Sequence, residues 1–131
     1  MVYYWVIKEG IIIASRGIIL NLKKGIMELL LLSLLNKRPM HTLEILRFID
    51  EKSDSVCAIS HPYNIFYRLL KNGYIVENEK KVAEDSRRRQ YYAITNEGRI
   101  YYHQIRQEYE AFINGASKVL SFSDDEDPAG T

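Results

Sequence analysis

The chain has 131 residues, with 18 Lys plus Arg against 17 Asp plus Glu, and 47% of its residues are hydrophobic. That length and composition suit one domain with its own core, and they exclude a disordered chain, a collagen-like chain and a simple polybasic tail. A net charge of +1 argues against a nucleic-acid binder only if the charge is evenly spread, and it is not: residues 61–92 hold seven basic and four acidic side chains, whereas residues 121–131 hold four acids and no base.

The N-terminus is apolar, with Met1 to Ile7, Ile11 to Ile13 and Ile18 to Leu20. Lys8, Glu9 and Arg16 interrupt it, so no run reaches the roughly 18–20 apolar residues of a membrane span. It has neither a basic leader nor a small-residue cleavage site, and the chain reads as soluble and cytoplasmic. Residues 1–21 stand apart as an apolar extension: either an arm covering a dimer or translated sequence upstream of the natural start. Trp5 is a candidate for stacking on a ligand.

Lys23 to Leu35 (KKGIMELLLLSLL) is too long for a buried strand and rich in Leu, which predicts a helix buried on most sides. Asn36-Lys-Arg-Pro39 breaks it. A second helix is expected over His41–Lys52, its inner face formed by Leu43, Leu46 and Ile49 and widened by Ile45 and Phe48. Cys57 lies between Val56 and Ala58 and reads as a small buried thiol in a reducing compartment. With three scattered histidines (His41, His61, His103) it makes no zinc-type spacing, so no metal or other cofactor is implied.

The third helix (SHPYNIFYRLLKN) is expected to be capped by Ser60, to hold Pro62 in its first turn and to stop at Gly73. Ile65, Phe66, Leu69 and Leu70 face one way, while His61, Asn64, Arg68 and Lys71 recur at helical spacing on the other. Tyr74-Ile-Val76 and Arg87 to Ile94, joined by a polar connection with a turn at Glu84-Asp-Ser86, predict a β-hairpin. Alternation along its second strand places one of Tyr91 and Tyr92 inside and the other outside. Thr95 then caps a last helix, with Glu97 near its positive end. In that helix Tyr102, Ile105, Tyr109, Phe112, Ala116 and Val119 follow at intervals of 3, 4, 3, 4 and 3. This is a heptad seam, and its expected partner is a second copy of the chain. Residues 121–131 (SFSDDEDPAGT) read as an acidic, disordered tail.

Three helices followed by a hairpin is the order of a winged helix-turn-helix, a mainly α fold with a small β wing. A helix fits the DNA major groove, and an arginine-rich hairpin can rest on phosphates or enter the minor groove. The residues also resemble a known family, the PadR-like transcriptional regulators. The matching stretches are Lys24-Gly-Ile-Met-Glu-Leu-Leu30, Arg38-Pro-Met-His-Thr-Leu-Glu-Ile45, Tyr63 to Ile75, and Ser86-Arg-Arg-Arg-Gln-Tyr-Tyr-Ala-Ile-Thr-Asn-Glu-Gly98. The last is similar to the family's Gly-Arg-x-Arg-x-Tyr-Tyr…Thr-x-x-Gly wing signature. The resemblance spans about residues 22–120 and fits the smaller members, which dimerise through one C-terminal helix. Departures stand at His41-Thr42, where the family often has an aromatic or His followed by Gly; at Ser86, in place of the wing Gly; and at Pro62 and Asn64, which flank Tyr63 in an unfavoured order.

The expected organisation is thus a winged-helix domain over 22–95, a dimerisation helix over 96–120 and the tail. Candidate DNA-binding residues are Ser60, His61, Tyr63, Asn64, Tyr67, Arg68 and Lys71 on the third helix and Arg87, Arg88 and Arg89 on the wing. The bland alternatives are a Tyr63 packed at the domain edge and a wing that is merely solvated. The dimerisation candidates are the six seam residues. The resemblance further implies an aromatic or lipophilic effector near the dimer interface, with Tyr102, Tyr109 and Phe112 as candidate lining. Together these predict a homodimeric, effector-responsive repressor on a pseudo-palindromic operator. The rival reading is a winged-helix protein–protein interaction module. Nothing in the sequence pairs a nucleophile with a base or cradles a phosphate, so no enzymatic activity is expected.

Overall fold

The computed structural model describes residues 6–8, 11–13 and 17–125, with side chains from 18 to 124. Strands β1 (Val6–Lys8) and β2 (Ile11–Ile13) pair antiparallel, with Ile7 opposite Ile12. Trp5 and residues 126–131 lie outside the described residues. No described helix is long and apolar enough to cross a membrane.

Helix α1 spans Gly17–Leu35 and so begins six residues before the expected Lys23. Its burial is confined to the C-terminal half, where Leu31, Leu32 and Leu35 are fully enclosed, while Ile18, Leu20 and Leu22 stay exposed. Arg99 closes its end, donating from Nη1 to the Asn36 side-chain oxygen at 2.9 Å and to the Asn36 carbonyl at 3.3 Å.

A two-residue strand β3 (Met40–His41), absent from the sequence expectation, then pairs with the second wing strand. His41 therefore lies outside helix α2 (Thr42–Lys52) and caps it, its Nδ1 accepting from the Glu44 amide at 3.3 Å. The inner face of α2 is centred on Ile45 and Ile49, one helical turn apart. Leu43 and Leu46 are only half-buried and Phe48 is exposed, so the expected Leu43–Leu46–Ile49 stripe is rotated.

Helix α3 runs Tyr63–Lys71. Ser60 does not cap it: the cap residue is Pro62, whose carbonyl accepts from the amides of Ile65 and Phe66, both at 3.1 Å. Ile65, Phe66 and Leu69 are buried as expected, and Gly73 ends the segment at φ +76°. Strands β4 (Ile75–Val82) and β5 (Arg88–Ile94) form the wing, giving a three-stranded antiparallel sheet in the order β3-β5-β4. Both wing tyrosines are covered, contrary to simple alternation. Tyr91 is buried against His41, its cross-strand partner on β3, and Tyr92, on the opposite face of β5, is half-buried against Phe66 of α3.

Helix α4 (Asn96–Asp125) has 30 residues, about 45 Å of axis at 1.5 Å per residue. It continues through Ser121–Asp125, which belong to the helix and not to a tail. Thr95 caps it as expected: its Oγ1 accepts from the Gly98 amide at 2.9 Å and donates to the Gly73 carbonyl at 2.6 Å. One hydroxyl thus ties the end of α3 to the start of α4. Thr95→Val is expected to cost about 1–2 kcal/mol of folding stability, read from urea denaturation; an unchanged midpoint would mean the cap is idle.

The core joins Leu31, Leu32, Leu35, Ile45, Leu69 and Ile75 from α1, α2, α3 and β4. Tyr102 closes it from α4. Beyond Ile105 every described α4 residue through Asp124 is exposed.

Candidate nucleic-acid interface

The apolar face of α3 anchors it in the core, and this orientation leaves its other face to solvent. Tyr63 is 82% exposed and Tyr67 is 66% exposed. Ser60, His61, Asn64, Arg68 and Lys71 are exposed as well. The expected face is therefore assembled, with one qualification in chemistry: Arg68 is not free. Its Nε donates to Glu28 Oε1 on α1 at 2.5 Å, and the other Glu28 oxygen accepts from the Tyr101 hydroxyl at 2.8 Å. Burial and this hydrogen bond to Glu28 push the Tyr101 hydroxyl up to about 12, so it remains a proton donor across the neutral range. Tyr101 also stacks on Tyr74 at 4.1 Å between ring centroids.

The wing arginines divide into two kinds. Arg89 is half-buried and donates from Nη2 and Nε to Asp85 Oδ2, at 2.5 and 3.2 Å. Asp85 also accepts from the Arg87 amide at 3.1 Å. These bonds, first that of Arg89 and then that of Arg87, hold the Asp85 carboxyl below its ordinary range. They clamp the turn in which Ser86 adopts φ +66°. Ser86 therefore keeps the left-handed conformation that a wing glycine would take freely. Arg89 thereby braces the turn, whereas Arg87 and Arg88 are exposed, and neither forms an ion pair among the described residues. Residues two apart share a face of a strand, so Arg88 lies on the face where Tyr92 meets Phe66 of α3.

The heptad seam of α4 is divided by the fold. Tyr102 is only 4% exposed and belongs to the domain core, where its hydroxyl accepts from Arg106 Nη1 at 2.7 Å. Ile105 is half-buried. Tyr109, Phe112, Ala116 and Val119 are exposed, and Phe112 is 68% so. Ile113, Leu120 and Phe122, outside the expected seam, add to the same exposed apolar set. Between α1 and α4 runs an open groove of about 580 Å³, lined among others by Leu22, Ile26, Leu29, Ile105, Tyr109 and Phe112. Tyr109 and Phe112 thus border an open space, and Tyr102 does not line this groove.

Sequence reasoning missed Glu28 and Asp85, the two carboxylates that hold arginines of the candidate interface. Asp85 carried a usable signal, since it stands four residues before Arg89 across a tight turn. Glu28 carried none, because Arg68 is 40 residues away.

No curated protein matches the chain. Among solved structures, a transcriptional regulator from Clostridium thermocellum is 35% identical, with 75% of this chain and 96% of that chain covered and a TM-score of 0.63. A PadR-like transcriptional regulator from Bacillus cereus strain ATCC 14579 shares the fold at 20% identity, with 76% and 96% covered and a TM-score of 0.67. A transcriptional regulator from Streptococcus does so at 18% identity, with 76% and 96% covered and a TM-score of 0.66. The family model described as "Transcriptional regulator PadR-like family" matches residues 31–116, about two-thirds of the sequence. With its helices, wing and C-terminal helix in the same order, the chain belongs to the PadR-like family of transcriptional regulators.

Proposed function

We propose that the protein is a cytoplasmic homodimeric repressor that binds a pseudo-palindromic DNA operator and responds to an aromatic or lipophilic effector. The observation that carries the DNA-binding reading is the pairing of an exposed polar face on α3 with two unpaired wing arginines, Arg87 and Arg88, in the one strongly basic stretch of the chain. In such a complex α3 enters the major groove, where Asn64 and Lys71 reach base edges or phosphates, and Tyr63 contacts phosphate or sugar. The wing arginines grip flanking phosphates. Ser60 and His61 flank the helix start and contribute polar contacts to the backbone.

The exposed apolar residues of α4 and the groove beside α1 support dimerisation through a second copy of α4. Two-fold symmetry then sets half-sites about one helical turn, roughly 10 base pairs, apart. The groove region also accommodates the effector, whose binding shifts the spacing of the two reading heads.

The direct test replaces Arg87 and Arg88 together with alanine, sparing Arg89 because its loss alters the turn. Binding to a duplex selected from a random DNA pool is expected to weaken, and the slope of log affinity against log salt to become shallower by about 2, one per lost phosphate contact. Unchanged affinity and slope would remove the wing from the interface. Failure of the wild-type protein to enrich any palindrome, together with a stable hetero-complex, would favour the protein–protein module.

A further inference from the structure

Glu28 presents a problem for a DNA-binding face. It places a negative charge directly against Arg68, on the surface that α3 would turn to a polyanion. On charge alone, removing it should tighten DNA binding. Its geometry points the other way.

Both carboxylate oxygens are engaged, each by a different helix: Oε1 accepts from Arg68 Nε of α3, and Oε2 accepts from the Tyr101 hydroxyl of α4. The Arg68 contact uses only Nε. Among the described residues, neither Nη group of Arg68 has a protein partner, and the side chain remains 51% exposed. An arginine held at Nε, with its terminal nitrogens free, keeps the two-pronged edge that matches a phosphate or the O6/N7 edge of guanine. A free arginine must order its long side chain on binding; one already pinned has lost that freedom in the unbound protein. Glu28 is itself pinned, since Tyr101 is fixed by its stacking on Tyr74, the residue that follows Gly73 at the end of α3.

Resting on the DNA-binding reading above, we propose that Glu28 is a positioning residue for DNA recognition: it orients Arg68 for its contact, with Tyr101 as the anchor that orients Glu28. Glu28 and Tyr101 also line the groove between α1 and α4. The carboxylate that sets the reading arginine therefore borders the surface that a second copy or an effector would occupy.

The test measures binding of the full chain to the duplex enriched from a random pool by the wild-type protein, and to a scrambled duplex of equal length. Glu28→Ala is expected to weaken specific binding about tenfold while leaving scrambled-duplex binding unchanged or tighter, the opposite signs of positioning and bulk charge. Tyr101→Phe weakens specific binding less, and Glu28→Gln, which keeps an acceptor oxygen, falls between Glu28→Ala and wild type. Arg68→Ala weakens specific binding by at least as much as Glu28→Ala, and Glu28→Ala in that background adds nothing further, because both changes remove one interaction. Thermal unfolding of each variant keeps fold loss apart from binding loss, and Glu28→Gln serves where the alanine variant does not fold.

Specific binding by Glu28→Ala or Glu28→Gln at or above the wild-type level overturns the proposal, as do additive losses with Arg68→Ala. If Arg68→Ala binds normally while the Arg87/Arg88 double variant does not, the positioning role falls and the DNA-binding reading stands. If the wild-type protein enriches no sequence, both fall.

Discussion

Gly98→Ala is expected to destabilise the protein by about 3 kcal/mol and to lower its Tm by roughly 10 °C. A Cβ at this position would sit 2.0 Å from the Tyr74 carbonyl oxygen and 2.8 Å from Ile94 Cγ1. Neither neighbour can yield easily. The Tyr74 carbonyl accepts from the Thr95 amide at 3.0 Å, and Ile94 is buried in the core. The methyl group would therefore push the first turn of α4 off the sheet, breaking the Thr95 cap and parting Tyr101 from Tyr74. Gly115→Ala is the control: nothing lies within 4 Å of its added Cβ, and alanine in an exposed helix gains roughly 0.5–1 kcal/mol. Urea denaturation of the two variants side by side checks both. Equal midpoints would mean that α4 does not approach Tyr74 so closely.

Phe112→Glu is expected to leave the fold intact and to break the proposed dimer, raising its dissociation constant about 100-fold. The side chain makes little use of its own domain, being largely exposed, yet it stands on the apolar surface that borders the groove with α1. Aromatic anchors at the centre of an interface contribute about 2 kcal/mol or more, and an unpaired buried carboxylate adds its own penalty. Sedimentation equilibrium measures the change, with thermal unfolding at high dilution as the check on folding. Tyr102→Glu separates the two roles, since Tyr102 is core and its replacement should unfold the domain. A Phe112→Glu variant that sediments as wild type would take the partner off this face of α4.

Features written in adjacent residues were legible before the structure. The glycine stop at Gly73, the Thr95 cap, the inner face Ile65–Phe66–Leu69 and the hairpin turn all depend on neighbours within about four positions. What escaped depends on partners far along the chain. Strand β3 has two residues and forms only because Tyr91 and Tyr92, some 50 positions later, lie alongside it. The rotation of α2 follows from the same docking, which brings Ile45 and Ile49 inward. Helix α4 outruns its expected end because acidic residues change solubility but do not break a helix; before Pro128 the sequence holds no strong stop there. For the candidate interface, the exposed α3 face could be read from periodicity, but the division of the wing arginines into braced Arg89 and unpaired Arg87 and Arg88 required the turn geometry around Asp85.

The length of α4 has an electrical consequence. Asp124 and Asp125 lie about 30 Å along the helix from Ile105, its last half-buried residue, whereas charge is felt over only about 8 Å at physiological salt. The near-zero net charge is thus a separation of opposite charges, with the basic stretch of α3 and the wing at one place and a helix end carrying acids at another. A molecule so polarised feels a torque as it nears a polyanion and meets it with the basic side leading, which raises the fraction of productive encounters without any added net charge.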